Sequence, residues 1–174
     1  VWARICVIAA GPVFNFILAL ICAAILVGAA GYDEPVAGEV EPDYPAAQAG
    51  LEAGDRIVEM NGKNIHLFKE IQVYNHFHQG EEVELTYERD GEEHTVTITP
   101  KYDEELQYYR LGISSSGYTA ATPLTAVRYG AYEVKYWIDT TLLSLKMLVT
   151  GQIGIDQLAG PVGIVDVVDD TYQE

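Results

Sequence analysis

The residues best equipped for chemistry are few, and their spacing decides what they can do. Four histidines, His66, His76, His78 and His94, are the first candidates for a metal site. None belongs to a His-Glu-x-x-His helix, and His76 and His78 lack the i, i+4 spacing that aims two imidazoles from one helical face at an ion. They read as solvated histidines. No Gly-x-Ser-x-Gly elbow and no phosphate loop occurs, and neither Cys6 nor Cys22 has a histidine nearby in sequence. The chain by itself therefore carries no catalytic centre and no metal site. One polar group is out of place: Asn15 lies within Ala10-Gly-Pro-Val-Phe-Asn15, inside an uncharged apolar run where a bare amide is costly unless it faces protein.

The elements that position any site are organised around residues 44–65. Pro45 suits the first turn of a helix, Ala46, Ala47 and Ala49 favour helix, and Gly50 sits where a left-handed cap is wanted. Gly54-Asp55 turns the chain into an apolar strand at 56–60, and Asn61-Gly62 ends it. This order of short helix, Ala-Gly-Leu, Gly-Asp, strand and Asn-Gly resembles the bacterial type of PDZ domain. An unrelated small α+β domain with similar turns is the plain alternative.

The formal charge of −16 is unevenly spread: residues 1–32 carry only Arg4, which leaves 9 basic and 26 acidic residues for the remainder. So acidic a surface repels nucleic acid and anionic lipid, so no nucleic-acid partner is expected. Residues 5–32 hold no charge, and about 20 apolar residues suffice to cross hydrocarbon. They predict a transmembrane helix within 1–32 and a lipid bilayer as partner. A signal peptide, with Gly28-Ala-Ala-Gly31 as cleavage site, is the rival reading. Within this helix Pro12 removes a backbone donor, Gly11 permits close approach of a second helix, and Asn15 calls for a polar partner there; a tolerated kink with Asn15 near the interface is the simpler account. Arg4 at the near end places Val1 in the cytoplasm and the globular part outside. On a helix Cys6 and Cys22 stand about 24 Å apart, beyond disulfide reach.

Further along, 33–35 reads as a linker and 36–40 as a first strand. Residues 68–78 form a helix with Phe68, Ile71 and Tyr74 at helical spacing. Val83, Leu85 and Tyr87 alternate up to an Asp90-Gly91 turn, and 95–99 answers as a hairpin. A polar loop from Lys101 leads to a last strand at 109–113, and 114–122 is a linker. Pro123 opens a helix over 123–150 whose Leu124, Val127, Ala131, Val134, Ile138, Leu142, Leu145 and Val149 make one apolar stripe. Its charges forbid a simple span, so it either lies on the bilayer or packs on protein. Residues 151–174 form a loop.

Together, Arg4 through Ala10-Gly-Pro-Val-Phe-Asn15, the PDZ-like stretch and Leu158-Ala-Gly-Pro-Val-Gly-Ile164 resemble the site-2 protease family of intramembrane zinc metalloproteases, in its bacterial RseP-like branch. The resemblance implies a membrane α-helix, an α+β PDZ domain at 36–114 (a small β-barrel or sandwich with two helices, in the permuted bacterial order), and a C-terminal amphipathic helix. It implies the central segment of a metalloendopeptidase whose zinc ligands lie outside this sequence, so that the segment is inactive alone. Gly11, Pro12 and Asn15 would sit near the active site. The PDZ domain, on the extracytoplasmic side of the cell membrane, would control access of membrane-anchored protein substrates. Tyr109-Arg-Leu-Gly-Ile113 is similar to the PDZ loop whose amides hold a peptide C-terminus: Leu111, Gly112 and Ile113 would line one side of a groove, with Phe68 and Ile71 on the other. A closing strand without ligand is the alternative for that loop, and a membrane-anchored PDZ scaffold is the alternative for the whole.

Overall fold

The computed structural model describes residues 2–104, 106 and 108–150. The expected loop at 151–174, with its Ala-Gly-Pro-Val run, lies outside them. The chain divides into two compact units, Val1–Tyr136 and a second that begins at Trp137.

Helix α1 (Trp2–Ala30) runs unbroken through Pro12. Its Cys6–Ala30 portion, 25 residues, is long and apolar enough to cross a membrane; at 1.5 Å per residue it measures about 37 Å against about 30 Å of hydrocarbon. Phe14, Phe16, Ile17 and Ile21 are all exposed along it. Among its residues whose burial is described, Val27, near its end, is the buried one.

The remainder of the first unit is β-rich, in short antiparallel pieces. Strand β1 (Tyr32–Asp33) follows α1 directly and β2 is Ala37–Val40. Helix α2 (Pro45–Gln48) has Pro at its start, as expected. Strands β3 (Arg56–Met60) and β4 (Lys63–Asn64) precede α3 (Phe68–Phe77). Helix α3 begins where the Glu70 carboxylate accepts hydrogen bonds from the free amides of His66 (2.6 Å) and Leu67 (3.3 Å). The hairpin β5 (Val83–Arg89) and β6 (Glu92–Ile98) pairs in unbroken register from Val83↔Ile98 to Arg89↔Glu92. Its turn residues Asp90 (φ 53°) and Gly91 (φ 83°) have the left-handed backbone a two-residue hairpin loop needs. The sheet order is β4-β3-β5-β6.

Three ribbons were not legible as such. Strands β7 (Lys101–Asp103) and β8 (Tyr108–Arg110) form a hairpin where a polar loop was expected. Strand β9 (Ile113–Ser115) pairs with β2, and β10 (Tyr118–Thr119) pairs with β1, so the expected linkers at 33–35 and 114–122 are partly strand. Two or three residues are too few for an alternating pattern to register.

One core gathers Leu51, Ile57, Met60, Phe68, Ile71, Val83, Leu85, Ile98 and Leu111. A second, smaller core joins α1 to helix α4 (Pro123–Val149): Val27, Tyr32, Leu67, Ala126 and Tyr129, with the Tyr32 and Tyr129 rings stacked at 3.8 Å. Thr122 and Thr125 cap the start of α4, each amide bonding to the other's hydroxyl. The apolar stripe read from the sequence is not the face that packs: Leu124 is 81 % exposed and Val127 54 %, while Ala126, Tyr129 and Gly130 are buried. In the second unit Leu142, Leu145 and Val149 are likewise exposed.

Candidate functional site

The loop between β8 and β9 is built from the backbone. Leu111 and Gly112 interrupt the strand because Gly112 takes φ +85°, a conformation side-chain-bearing residues resist. The Leu111 carbonyl accepts from the Ala46 amide (3.0 Å) and the Gly112 carbonyl from the Glu41 amide (2.8 Å). Each peptide unit is trans and planar, so the amides of Gly112 and Ile113 point away from the 41–46 segment. Two adjacent N–H groups aimed the same way suit an oxyanion or a peptide carbonyl.

Behind the loop the Tyr44 side chain packs against Gly112, leaving no room for a Cβ. The Tyr44 hydroxyl donates to Asp103 (2.5 Å), and this bond to a carboxylate, with some burial, pushes the phenol above its ordinary pKa. Arg110 completes the cluster, paired with Asp103 (2.9 Å) and with Glu41. Burial works against the guanidinium charge, but the two carboxylates more than offset it and raise its pKa. The cation nearest the loop is therefore already matched by two acids. What the loop offers a ligand is its amides.

Opposite, α3 contributes Phe68 (2 % exposed) and Ile71 (1 %), which meet Leu111 (1 %) in the main core, with half-buried Ile113 packed against them. The structure thus places Leu111, Phe68 and Ile71 in one buried core with Ile113 packed on it, while Gly112 lies against Tyr44.

Two histidines depart from the expectation that all four are solvated. His76 and His94 are exposed, but the His66 ring lies 4.1 Å from that of Tyr132 with Nδ1 buried, and His78 stacks on Tyr74 at 4.1 Å. The contact of His66 with Tyr132 joins residues remote in sequence, which spacing does not reveal, whereas that of His78 with Tyr74 is an i, i+4 pair at the end of α3. Among the described residues no group of three or more His, Cys, Asp or Glu gathers as a metal would need.

Asp55 is a residue whose role the sequence did not disclose. It is 1 % exposed, accepts the Glu52 amide (2.8 Å), and holds Arg89 through Nε and Nη2 (both 2.7 Å). Arg89 also donates to the Gly50 carbonyl (2.8 Å), fastening the glycine-rich turns to the end of β5. Burial alone would raise the Asp55 carboxyl, yet the Arg89 and Glu52 hydrogen bonds hold it below its ordinary value. An acid immediately after a turn glycine is the only signal of this.

On α1, Gly11, Pro12 and Asn15 are exposed, and Gly11 and Asn15 share a face by their i, i+4 spacing. Among the described residues, nothing beyond its own helix backbone and chain neighbours comes within 4 Å of where a Gly11 Cβ would be. The helix therefore presents a notch beside an amide, a surface suited to close packing with another helix.

A model described as peptidase family M50 matches residues 1–174. The chain is 39% identical over 175 residues to zinc metalloprotease RasP of Bacillus licheniformis, covering 97% of this chain and 41% of that protein. It is 34% identical over 172 residues to the regulator of sigma-W protease RasP of Bacillus subtilis, again covering 97% and 41%. The chain thus spans less than half the length of these relatives. Among solved structures, the PDZ domain of an SdrC-like protein from Listeria monocytogenes is similar at 28% identity and a TM-score of 0.43, covering 48% of this chain and 88% of that one.

Proposed function

The chain belongs to peptidase family M50, the site-2 proteases, and from that premise we propose that it is the central segment of an intramembrane zinc metalloprotease acting on membrane-anchored proteins. The observation that carries this reading is the exposed Gly11 and Asn15 face on the otherwise apolar Cys6–Ala30 stretch, in a chain whose family match runs its whole length. In this reading α1 crosses the cell membrane and packs its notch beside the catalytic centre. The family resemblance puts the zinc ligands in the parts of the longer relatives that this chain does not span. The segment alone is then an inactive peptidase.

The β-rich region, residues 36–114, is read as a PDZ domain on the extracytoplasmic side. It governs which substrates approach. The burial of Phe68, Ile71 and Leu111 in one core favours gating by bulk over a grip on peptide side chains, since a side chain seated among them would have to displace one of them. A membrane-anchored PDZ scaffold without catalysis is the second reading, and the two outward amides of Gly112 and Ile113 are what favour it.

Peptides differing only in a free or amidated C-terminus test the gate. The gating reading expects negligible binding of both by the purified chain; tight binding of the free-acid form alone would turn the balance to carboxylate capture. Topology is tested by replacing Cys6 and Cys22 with Ser, introducing Glu92→Cys on exposed β6, and adding an impermeant maleimide to intact cells. Labelling only after permeabilisation would reject the extracytoplasmic placement.

A further inference from the structure

Helix α4 meets α1 through small residues. A Cβ on Gly28 would lie 3.7 Å from the Ala126 Cβ, and one on Gly130 would lie 2.8 Å from the Ala24 amide nitrogen. Residue 126 thus faces 28 while 130 faces 24, so the first turns of α4 run antiparallel to α1 and back toward its start. From Ala126 to Gly130 this retraces about 6 Å of helix axis. The first turns of α4 are therefore level with the end of the apolar stretch Cys6–Ala30.

At that level the surface is apolar where solvent would normally select polar groups. Leu124 is 81 % exposed, Val127 54 % and Tyr118 74 %. Tyr118 belongs to β10, whose Thr119 pairs with Tyr32 beside the last turn of α1, and its Cβ is 3.6 Å from where a Gly31 Cβ would be. Ile25 and Leu26 of α1 are 65 % and 66 % exposed at the same height. Five large apolar side chains on three elements thus ring the end of one helix, continuous with its exposed apolar surface. The packed side of α4 is supplied instead by Ala126, Tyr129 and Gly130.

We propose that Tyr118, Leu124 and Val127 form a collar that enters the interfacial zone of a lipid bilayer around the end of α1, seating the β-rich region at a fixed height on the membrane. The inference rests on the reading of α1 as a membrane span and adds the second contact. The occupant is lipid because Val127, packed alongside α1 between Ala24 and Gly28, is held at bilayer depth, while Leu124 and Tyr118 lie where the apolar stretch ends, at the level of its boundary, whichever way they point around the helix axis. A Tyr with aliphatic neighbours is the composition the interface selects. Arg128, exposed next to Val127 and bonded to the Tyr132 hydroxyl (3.1 Å), is placed to meet lipid phosphate while its stem lies along apolar surface. The acidity of the rest of the chain makes zwitterionic lipid the better host.

The whole chain, with Cys6→Ser and Cys22→Ser, would be carried into phosphatidylcholine nanodiscs bearing an environment-sensitive fluorophore at one site per sample. The sites are Leu124→Cys, Val127→Cys, Phe16→Cys within the span, and Glu92→Cys on distant β6. Lipids spin-labelled near the headgroup or deep in the acyl chain serve as quenchers. The expected result is strong quenching of 124 and 127 by the shallow label, of 16 by the deep label, and none of 92. If 16 is quenched while 124 and 127 behave like 92, the collar is refuted and the span stands. If 16 is unquenched, the span fails and takes the collar with it.

Discussion

Replacing Gly112 with Ala separates two costs that the loop places on one residue. The first is conformational: at φ +85° an L side chain meets its own carbonyl, which costs about 1–2 kcal/mol. The second is steric, since the new Cβ overlaps the Tyr44 Cβ, an atom no rotamer can move. Overpacking of this kind costs about 1–3 kcal/mol, for a sum of about 2–5 kcal/mol. In a domain of this size that lowers Tm by roughly 8 °C or more. A larger substitution such as Gly112→Val should unsettle the fold before it can report on peptide binding. The assay is thermal unfolding of the whole chain in detergent, followed by near-ultraviolet circular dichroism. Tyr44→Gly, which alone removes the obstructing Cβ, should recover the steric part when combined with Gly112→Ala and leave the conformational part. A coupling of about 1–3 kcal/mol between the two changes is expected. Strict additivity, or a cost for Gly112→Ala below about 0.5 kcal/mol, would show that Tyr44 does not brace the loop.

Two other consequences are open to direct measurement. The pair Gly28→Cys and Ala126→Cys places sulfur-bearing carbons 3.7 Å apart, within the range of about 3.5–4.5 Å for a disulfide, so mild oxidation should cross-link α1 to α4; adding Gly130→Leu should prevent it, and a bridge of equal yield in both backgrounds would contradict the close crossing. Asp55→Asn should destabilise the first unit by about 1.5–3 kcal/mol near neutral pH, because it removes the charged acceptor of the Arg89 hydrogen bonds. The Asp55 carboxyl is held below its unfolded value of about 3.9, so its contribution is complete above that pH and is lost as pH falls through the lower folded value. The difference between parent and variant in urea unfolding should begin to narrow below about pH 4 and keep shrinking as pH falls, and a difference unchanged across the acid range would assign the effect to packing.

Local chemistry made much of the fold readable. Pro45 and Gly50 bracket α2, Asn61-Gly62 and Asp90-Gly91 close β-turns, and the alternation of Val83, Leu85 and Tyr87 became the buried face of β5. What stayed hidden depends on partners distant in sequence. The apolar stripe of α4 marked a helix correctly but not the face that packs, because Tyr129 stacks on Tyr32 and Gly130 admits the backbone of α1, contacts that no period of 3.6 encodes. Leu111, Gly112 and Ile113 could be singled out as a loop, but the bracing by Tyr44, Arg110 and Asp103 joins residues about sixty positions apart. Phe68 and Ile71 were legible as an apolar helix face, whereas their sharing one core with Leu111 depends on residues about forty positions apart.

The central claim, that α1 brings Gly11 and Asn15 to a catalytic centre inside the membrane, is tested most directly in a complete enzyme. This chain would replace the matching region of the Bacillus licheniformis relative, and cleavage of a membrane-anchored reporter would be followed with and without a zinc chelator. The account predicts chelator-sensitive cleavage that falls about tenfold or more in Asn15→Leu, the loss expected when a buried polar partner goes unmatched, with insertion into the membrane unchanged. A chimera that inserts normally and cleaves equally well with Leu at positions 11 and 15 would contradict it.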